Sequence, residues 1–80
     1  MTRTDFIIMS HEVLNEFDCR IDSILFTDDN IAIVNYSPDD VNVWRMYIPY
    51  RFMNRARLRF KIMDELNLLV PLNPEIDLGF

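Results

Sequence analysis

The sequence has very few of the residues that cross-link, bend or catalyse. Its 80 residues include one glycine, Gly79, one cysteine, Cys19, and one histidine, His11. A single cysteine cannot form an internal disulfide, and one glycine cannot build a glycine-rich loop that binds phosphate. His11 and Cys19 also lack the further partners that a zinc site or a nucleophilic site requires. We therefore expect no cofactor, no metal and no enzymatic activity.

Long apolar runs are absent as well. No run approaches the roughly 20 residues that span a bilayer, and the short apolar run at residues 6–9 resembles neither a signal peptide nor a transit peptide. Half of the residues are nevertheless hydrophobic, which favours a folded chain over a disordered one. We expect a protein that does not contact membranes and lies in the cytoplasm, where a lone thiol stays reduced.

Acidic residues are missing from one stretch, residues 45–61, which holds six of the eight basic residues. The rest of the chain holds two basic residues and all thirteen acidic ones, so a net charge of −5 divides into +6 and −11. Such segregation is typical of either a binding surface or an internal electrostatic match. We define the basic face as the five cations that follow the last predicted strand: Arg51, Arg55, Arg57, Arg59 and Lys61.

The order of the apolar patterns predicts an α+β fold. Apolar residues recur at spacings of three and four over residues 4–18, which predicts a helix, although residues 6–9 could instead form a short strand. Three apolar runs, at 21–26, 31–36 and 41–48, predict an antiparallel β-meander with turns at 28–30 and 37–40. In the third run Trp44, Met46 and Ile48 share one side, which we expect to face the core.

Residues 50–69 admit two interpretations. The segment has no internal glycine or proline and is rich in helix formers, which favours a second helix packed on one face of the sheet. Its buried seam would then be Phe52, Ala56, Phe60 and Met63, with cations on both sides. The alternation of cations and apolar residues at 55–62 would instead suit a strand that carries four cations on one face. Residues 1–70 form one domain in either case, followed by an extended C-terminal tail, residues 71–80.

The clustered carboxylates do not predict a metal site. Asp28 with Asp29 and Asp39 with Asp40 occupy the two turns at opposite ends of one strand, so the pairs lie about 20 Å apart. They cannot act together as metal ligands or as an acid and base. We call these four residues the acidic turns and interpret them as solvated carboxylates available to a partner.

These observations lead to three functional hypotheses. The first is a small non-enzymatic inhibitor or regulator that occupies a surface of a larger protein or nucleoprotein complex, such as an anti-CRISPR or other anti-defence protein of a phage. The second is a nucleic-acid-binding regulator that uses the basic face, against which the sequence pI of about 4.5 argues. The third is an antitoxin or immunity protein. A homodimer is also expected, because the chain has more apolar residues than so thin a core hides.

The basic face has an internal explanation as well. Its cations could lie over carboxylates of the N-terminal region without any ligand. The candidate carboxylates are Asp5, Glu12, Glu16, Asp18 and Asp22. Eleven excess negative charges outnumber six positive ones, so this pairing would still leave an acidic surface.

Overall fold

Two helices and a three-stranded sheet make up the part of the chain that the structure, a computed structural model, describes, residues 1–69 with side chains to Asn67. The elements follow in the order α1 (Arg3–Glu16), β1 (Arg20–Phe26), β2 (Ala32–Ser37), β3 (Trp44–Ile48), a 3-10 turn (Tyr50–Phe52) and α2 (Arg55–Leu69). The strands are antiparallel in the order β1-β2-β3. The predicted α+β class and meander are therefore confirmed. The predicted tail, residues 71–80, lies outside the described residues.

Helix α1 is bounded by side-chain and backbone hydrogen bonds at its two ends. The Thr2 hydroxyl accepts a bond of 3.1 Å from the Asp5 N–H and so caps the first turn. At the other end Asp18 has a left-handed φ of 57°, and the Cys19 N–H donates to the Leu14 carbonyl at 3.0 Å. This Schellman motif ends the helix at Glu16, two residues before the predicted end at 18. The alternative of a strand at residues 6–9 is wrong.

The turns fix the register of the meander. In the first, Asn30 takes a left-handed φ of 62°, while the Thr27 N–H donates to the Ile31 carbonyl at 2.9 Å. In the second, Asp39 accepts hydrogen bonds from the Val41 and Asn42 N–H groups, both at 2.9 Å. Because that turn holds residues 39–42, β3 begins at Trp44 rather than at the predicted residue 41.

One side of the sheet and both helices share a single core. Met46 and Ile48 face this core as predicted, but Trp44 stays 40% exposed on β3, an edge strand of the sheet. The Phe26 and Tyr50 rings meet edge to face at 5.0 Å, which anchors the 3-10 turn to the sheet. The buried hydrophobic residues are Phe6, Met9, Val13, Leu14, Cys19, Ala32, Val34, Tyr36, Met46, Ile48, Tyr50, Leu58 and Ile62.

Residues 55–62 form a helix, so the strand alternative is wrong. The predicted helix over 50–69 is interrupted after the 3-10 turn, and Asn54 caps α2 because its side-chain oxygen accepts from the Arg57 N–H at 2.9 Å. The predicted buried seam is also wrong. Leu58 and Ile62 are the buried residues of α2, whereas Phe52, Ala56, Phe60 and Met63 are exposed. Within residues 1–69 no helix is both long and apolar enough to cross a membrane.

Candidate functional site

The basic face is largely engaged within the molecule. The Arg55 Nη2 and Glu12 Oε1 atoms are 2.5 Å apart, and Arg59 forms a bidentate pair with Glu16 at 2.8 and 2.9 Å. These two pairs join α2 to α1. Glu12 and Glu16 are two of the five N-terminal carboxylates expected to pair with the basic face. Internal pairing therefore explains part of the charge segregation.

The Arg59–Glu16 pair also shifts the ionisation of both groups. The hydrogen bond from Arg59 is the largest cause that lowers the pKa of Glu16 below its ordinary value. The same bond raises the pKa of Arg59. Both groups therefore stay charged in the folded protein, which favours a persistent ion pair between the two helices.

The other three cations are not gathered on one surface. Arg57 Nη1 donates to the Phe52 carbonyl at 3.1 Å, and Lys61 Nζ lies 3.6 Å from Glu65 Oε2, one helical turn away. Arg51 makes no ion pair with a carboxylate among residues 1–69. The five cations therefore divide between the two flanks of α2 and the 3-10 turn before it.

The first acidic turn presents unpaired carboxylates. Asp28 and Asp29 are exposed at the tip of the β1–β2 hairpin, and neither pairs with a basic group in the described part of the chain. The Thr27 hydroxyl accepts from the Asp29 and Ile31 N–H groups, both at 3.3 Å, so the turn has a defined backbone. It therefore holds two adjacent negative charges at a fixed place.

The second acidic turn is mostly used by the fold. Asp39 accepts the backbone bonds that form the turn, and its pKa is lowered chiefly by the bond from Asn42 and then by that from Val41. Asp40 pairs with Arg20 at 3.0 Å, and Arg20 also holds Asp22 at 3.0 Å. The two turns lie at opposite ends of β2, as expected, so the structure does not bring their carboxylates together.

An apolar row on the outer face of the sheet was not identified from the sequence. Leu25, Ile33 and Tyr47 are paired across the three strands on the side that the helices leave uncovered. Leu25 is 54% and Tyr47 is 55% exposed. The sequence does contain a signal for this row. Successive side chains of a strand point to opposite faces of the sheet, so Leu25, Ile33 and Tyr47 must lie on the face opposite to their more deeply buried neighbours.

Hydrogen bonds hold a polar row next to the apolar one. The Asn35 amide donates to the Ser23 hydroxyl at 2.8 Å, and Arg45 donates to the Asn35 side-chain oxygen at 2.9 Å. We call these two rows the outer sheet face: Leu25, Ile33, Tyr47, Ser23, Asn35 and Arg45. Its apolar row lies at the end of the sheet that carries Asp28 and Asp29, because Leu25 and Ile33 flank the first hairpin.

The two side chains considered for catalysis, Cys19 and His11, lie in a buried and an exposed position respectively. Cys19 is 7% exposed, and burial, followed by the nearby charge of Asp18, raises the pKa of its thiol, which keeps it protonated and weakly nucleophilic. His11 is exposed on α1. Residues 1–69 contain no group of three or more His, Cys, Asp or Glu side chains arranged to hold a metal ion.

A cleft of about 680 Å³ lies beside the start of α1. Arg3 and Arg51 line it, and the Arg3 Nε donates to the Tyr50 hydroxyl at 3.4 Å. That hydrogen bond is the main cause that lowers the pKa of Tyr50. Asp5 also lines the cleft and offsets part of its positive charge.

Comparison with protein-family models, with curated proteins and with solved structures finds no match for this chain.

Proposed function

We propose that the protein is a non-enzymatic inhibitor or regulator that occupies a surface of a larger protein or nucleoprotein complex. The outer sheet face makes the contact, and Asp28 and Asp29 orient the approach. The observation that carries this proposal is the row of Leu25, Ile33 and Tyr47, in which Leu25 and Tyr47 are exposed, beside two carboxylates that form no ion pair within residues 1–69.

The physical properties of this face suit protein recognition. Interfaces are enriched in tyrosine and surround an apolar centre with polar groups. The sheet behind the row is packed on the core, so the row is presented in a fixed arrangement that loses little conformational entropy on binding. The face therefore combines an apolar centre with a hydrogen-bonded polar border.

The chemistry of the turn indicates the kind of partner. Two adjacent carboxylates on a protein of net charge −5 are attracted to a basic groove, including one that would otherwise hold nucleic acid. This is the mode of action that we propose, and it suits an anti-CRISPR or other anti-defence protein encoded by a phage or mobile element. Its setting would then be the cytoplasm of the host cell.

The internal ion pairs support this proposal over direct nucleic-acid binding by the basic face. Arg55 and Arg59 are already held by Glu12 and Glu16, which leaves fewer cations for phosphates.

A titration against single-stranded and duplex DNA and RNA over a series of salt concentrations separates the two functions. Tight, salt-sensitive binding would favour the nucleic-acid-binding regulator, whereas an absence of binding at low salt would remove it. Rescue on co-expression with one toxic enzyme would instead identify an antitoxin or immunity protein.

A capture experiment with matched variants tests the proposed face. Leu25 and Ile8 are both 54% exposed, but Ile8 lies on α1, away from the outer sheet face. The immobilised wild-type protein should retain a specific protein from an extract of its source cells. We expect Leu25→Ser with Tyr47→Ser to lose this protein and Ile8→Ser to retain it. Equal retention by all three proteins would contradict the assignment of the face.

A further inference from the structure

Helix α2 carries a second exposed apolar surface, on the side that faces away from the core. Successive residues of a helix are rotated by about 100°, so Phe60 points roughly opposite to Leu58 and Ile62, which are buried. Phe60 is 67% exposed, and Met63 is 46% exposed. We call this surface the outer stripe; its residues are Ala56, Phe60 and Met63.

Two opposite charges border the same edge of the outer stripe. Arg57 and Asp64 are seven residues apart, which places them on one flank of α2 about 10 Å from each other along its axis. They are too far apart to pair within the helix. The Arg57 guanidinium donates to the Phe52 carbonyl, and within residues 1–69 neither Arg57 nor Asp64 forms an ion pair.

We propose that a second copy of the chain covers the outer stripe, with its α2 antiparallel to the first. A two-fold axis close to Phe60 and Lys61 relates position 57 on one helix to position 64 on the other. Arg57 then meets Asp64 of the second copy, and the symmetry repeats the same pair. The flank is therefore complementary to itself, which identifies another copy of this chain as the occupant.

The sizes of the apolar side chains fit the same arrangement. The two Phe60 rings meet near the axis, and Ala56 lies about 3 Å along the helix from Met63 of the second copy, so a small side chain lies beside a large one. A small residue at the contact lets the helix axes approach to about 8 Å. The contact is limited to one face of a single helix, which is at the small end of specific interfaces, so we expect a weak dimer with a micromolar dissociation constant.

This dimer does not depend on the proposed target-binding face. The outer stripe faces away from the core, and the outer sheet face lies on the far side of the sheet from both helices. The assembled dimer therefore leaves two outer sheet faces uncovered. If a target has two suitable sites, their linkage raises the avidity of the pair.

A charge-swap series on the full chain tests the dimer by sedimentation equilibrium. The wild-type protein should show a mass that rises with concentration from one chain to two. Arg57→Asp or Asp64→Arg alone places like charges together in both symmetric pairs and should weaken the dimer by about tenfold or more. The double variant Arg57→Asp with Asp64→Arg restores opposite charges and should return the dissociation constant close to that of the wild type.

Two further variants separate the outer stripe from general surface effects. Phe60→Ser should abolish the dimer, whereas Ile8→Ser, at another exposed apolar position, should leave it unchanged. Circular dichroism confirms that each variant is folded. A wild-type chain that stays monomeric at all concentrations would overturn the proposal. A dimer that survives Phe60→Ser, or that the double swap fails to restore, would also overturn it.

Discussion

At the scale of single residues, the left-handed backbone positions are filled by aspartate and asparagine. Asp18, Asn30 and Asp40 have φ angles of 57°, 62° and 60°, and none of these positions carries glycine. Asparagine and aspartate tolerate this region better than most residues, yet glycine adopts it with little steric cost. Backbone strain is therefore stored at three defined points of the fold.

The position of Asp18 gives the first prediction. Asp18→Gly should raise the free energy of unfolding by about 1 kcal/mol, because glycine removes the steric cost at the end of α1. Urea denaturation followed by circular dichroism measures the change. Asn15→Gly is the matched control, since it places glycine within α1 and should destabilise by about 0.3 kcal/mol, the difference in helix propensity between asparagine and glycine. A loss of stability in Asp18→Gly would contradict the steric explanation.

Tyr36 gives a prediction about alkaline pH. Its side chain is 1% exposed, its hydroxyl has no hydrogen-bond partner among the described residues, and burial raises its pKa to about 12. The Tyr36 hydroxyl ionises near pH 10 in the unfolded chain but stays protonated in the folded chain up to about pH 12. The free energy of unfolding is therefore unaffected by this group below pH 10 and falls as the pH rises from 10 to 12. The loss reaches about 3 kcal/mol at most.

Tyr36→Phe isolates this effect because it removes only the hydroxyl group. The variant should have a free energy of unfolding within about 1 kcal/mol of the wild type at neutral pH. Between pH 10 and pH 12 the wild type should lose stability relative to the variant in urea denaturation. Parallel pH profiles for the two proteins would show that Tyr36 does not titrate differently on folding.

At the scale of elements, the ion pairs between α1 and α2 determine how the basic face is interpreted. Glu16 has a lowered pKa in the folded protein, so its contribution to stability is present above the ordinary value of 4.5. That contribution is lost as the pH falls through the lower folded value. The two residues of the pair are 41% and 43% exposed, and added salt should therefore screen their attraction.

Two arginine variants test this interpretation. Arg59→Gln should lower the melting temperature slightly at neutral pH, whereas Arg51→Gln should not, because it removes the same charge from a residue without an ion pair among residues 1–69. The difference should shrink in high salt and at a pH below the folded pKa of Glu16, as measured by thermal unfolding. Arg59→Gln should still capture the target. Unchanged stability with lost capture would instead make Arg59 part of the binding surface.

The elements were largely predictable because their signals are local. Turn residues and alternation located the three strands, and the spacing of Phe6, Met9 and Val13 located α1. Periodicity could not choose the buried side of α2, which has two apolar stripes on opposite sides. The choice depends on tertiary contacts, since Arg55 and Arg59 must lie beside α1 to reach Glu12 and Glu16.

At the scale of the whole molecule, one layer of helices covers one face of the sheet, and within residues 1–69 apolar surfaces stay exposed on the other face of the sheet and on the outer side of α2. The outer sheet face and the outer stripe of α2 point in different directions, so one partner need not cover both. Antiparallel sheets can keep one face in water, but a row that contains a half-exposed leucine and tyrosine favours a binding role. We therefore propose the outer sheet face as the target-binding surface and the outer stripe as the contact with a second copy.

The candidate site was only partly predictable from the sequence. The acidic turns were located correctly, since Asp28 and Asp29 stand between two apolar runs. The different roles of the two turns could not be predicted, because Asp40 pairs with Arg20, a residue twenty positions away in the sequence. Long sequence separation also concealed the partners of the basic face. Glu12 and Glu16 each lie forty-three positions from the arginine that they neutralise.

Oxidative side-chain labelling of the protein in complex with its captured target tests whether the outer sheet face contacts the target. Tyr47 and Leu25 should be protected from oxidation in the complex relative to the free protein, while Ile8, which has the same exposure as Leu25, serves as the internal reference. We expect protection of the outer sheet face with no change at Ile8. Full labelling of Tyr47 and Leu25 in the complex would show that the target binds elsewhere.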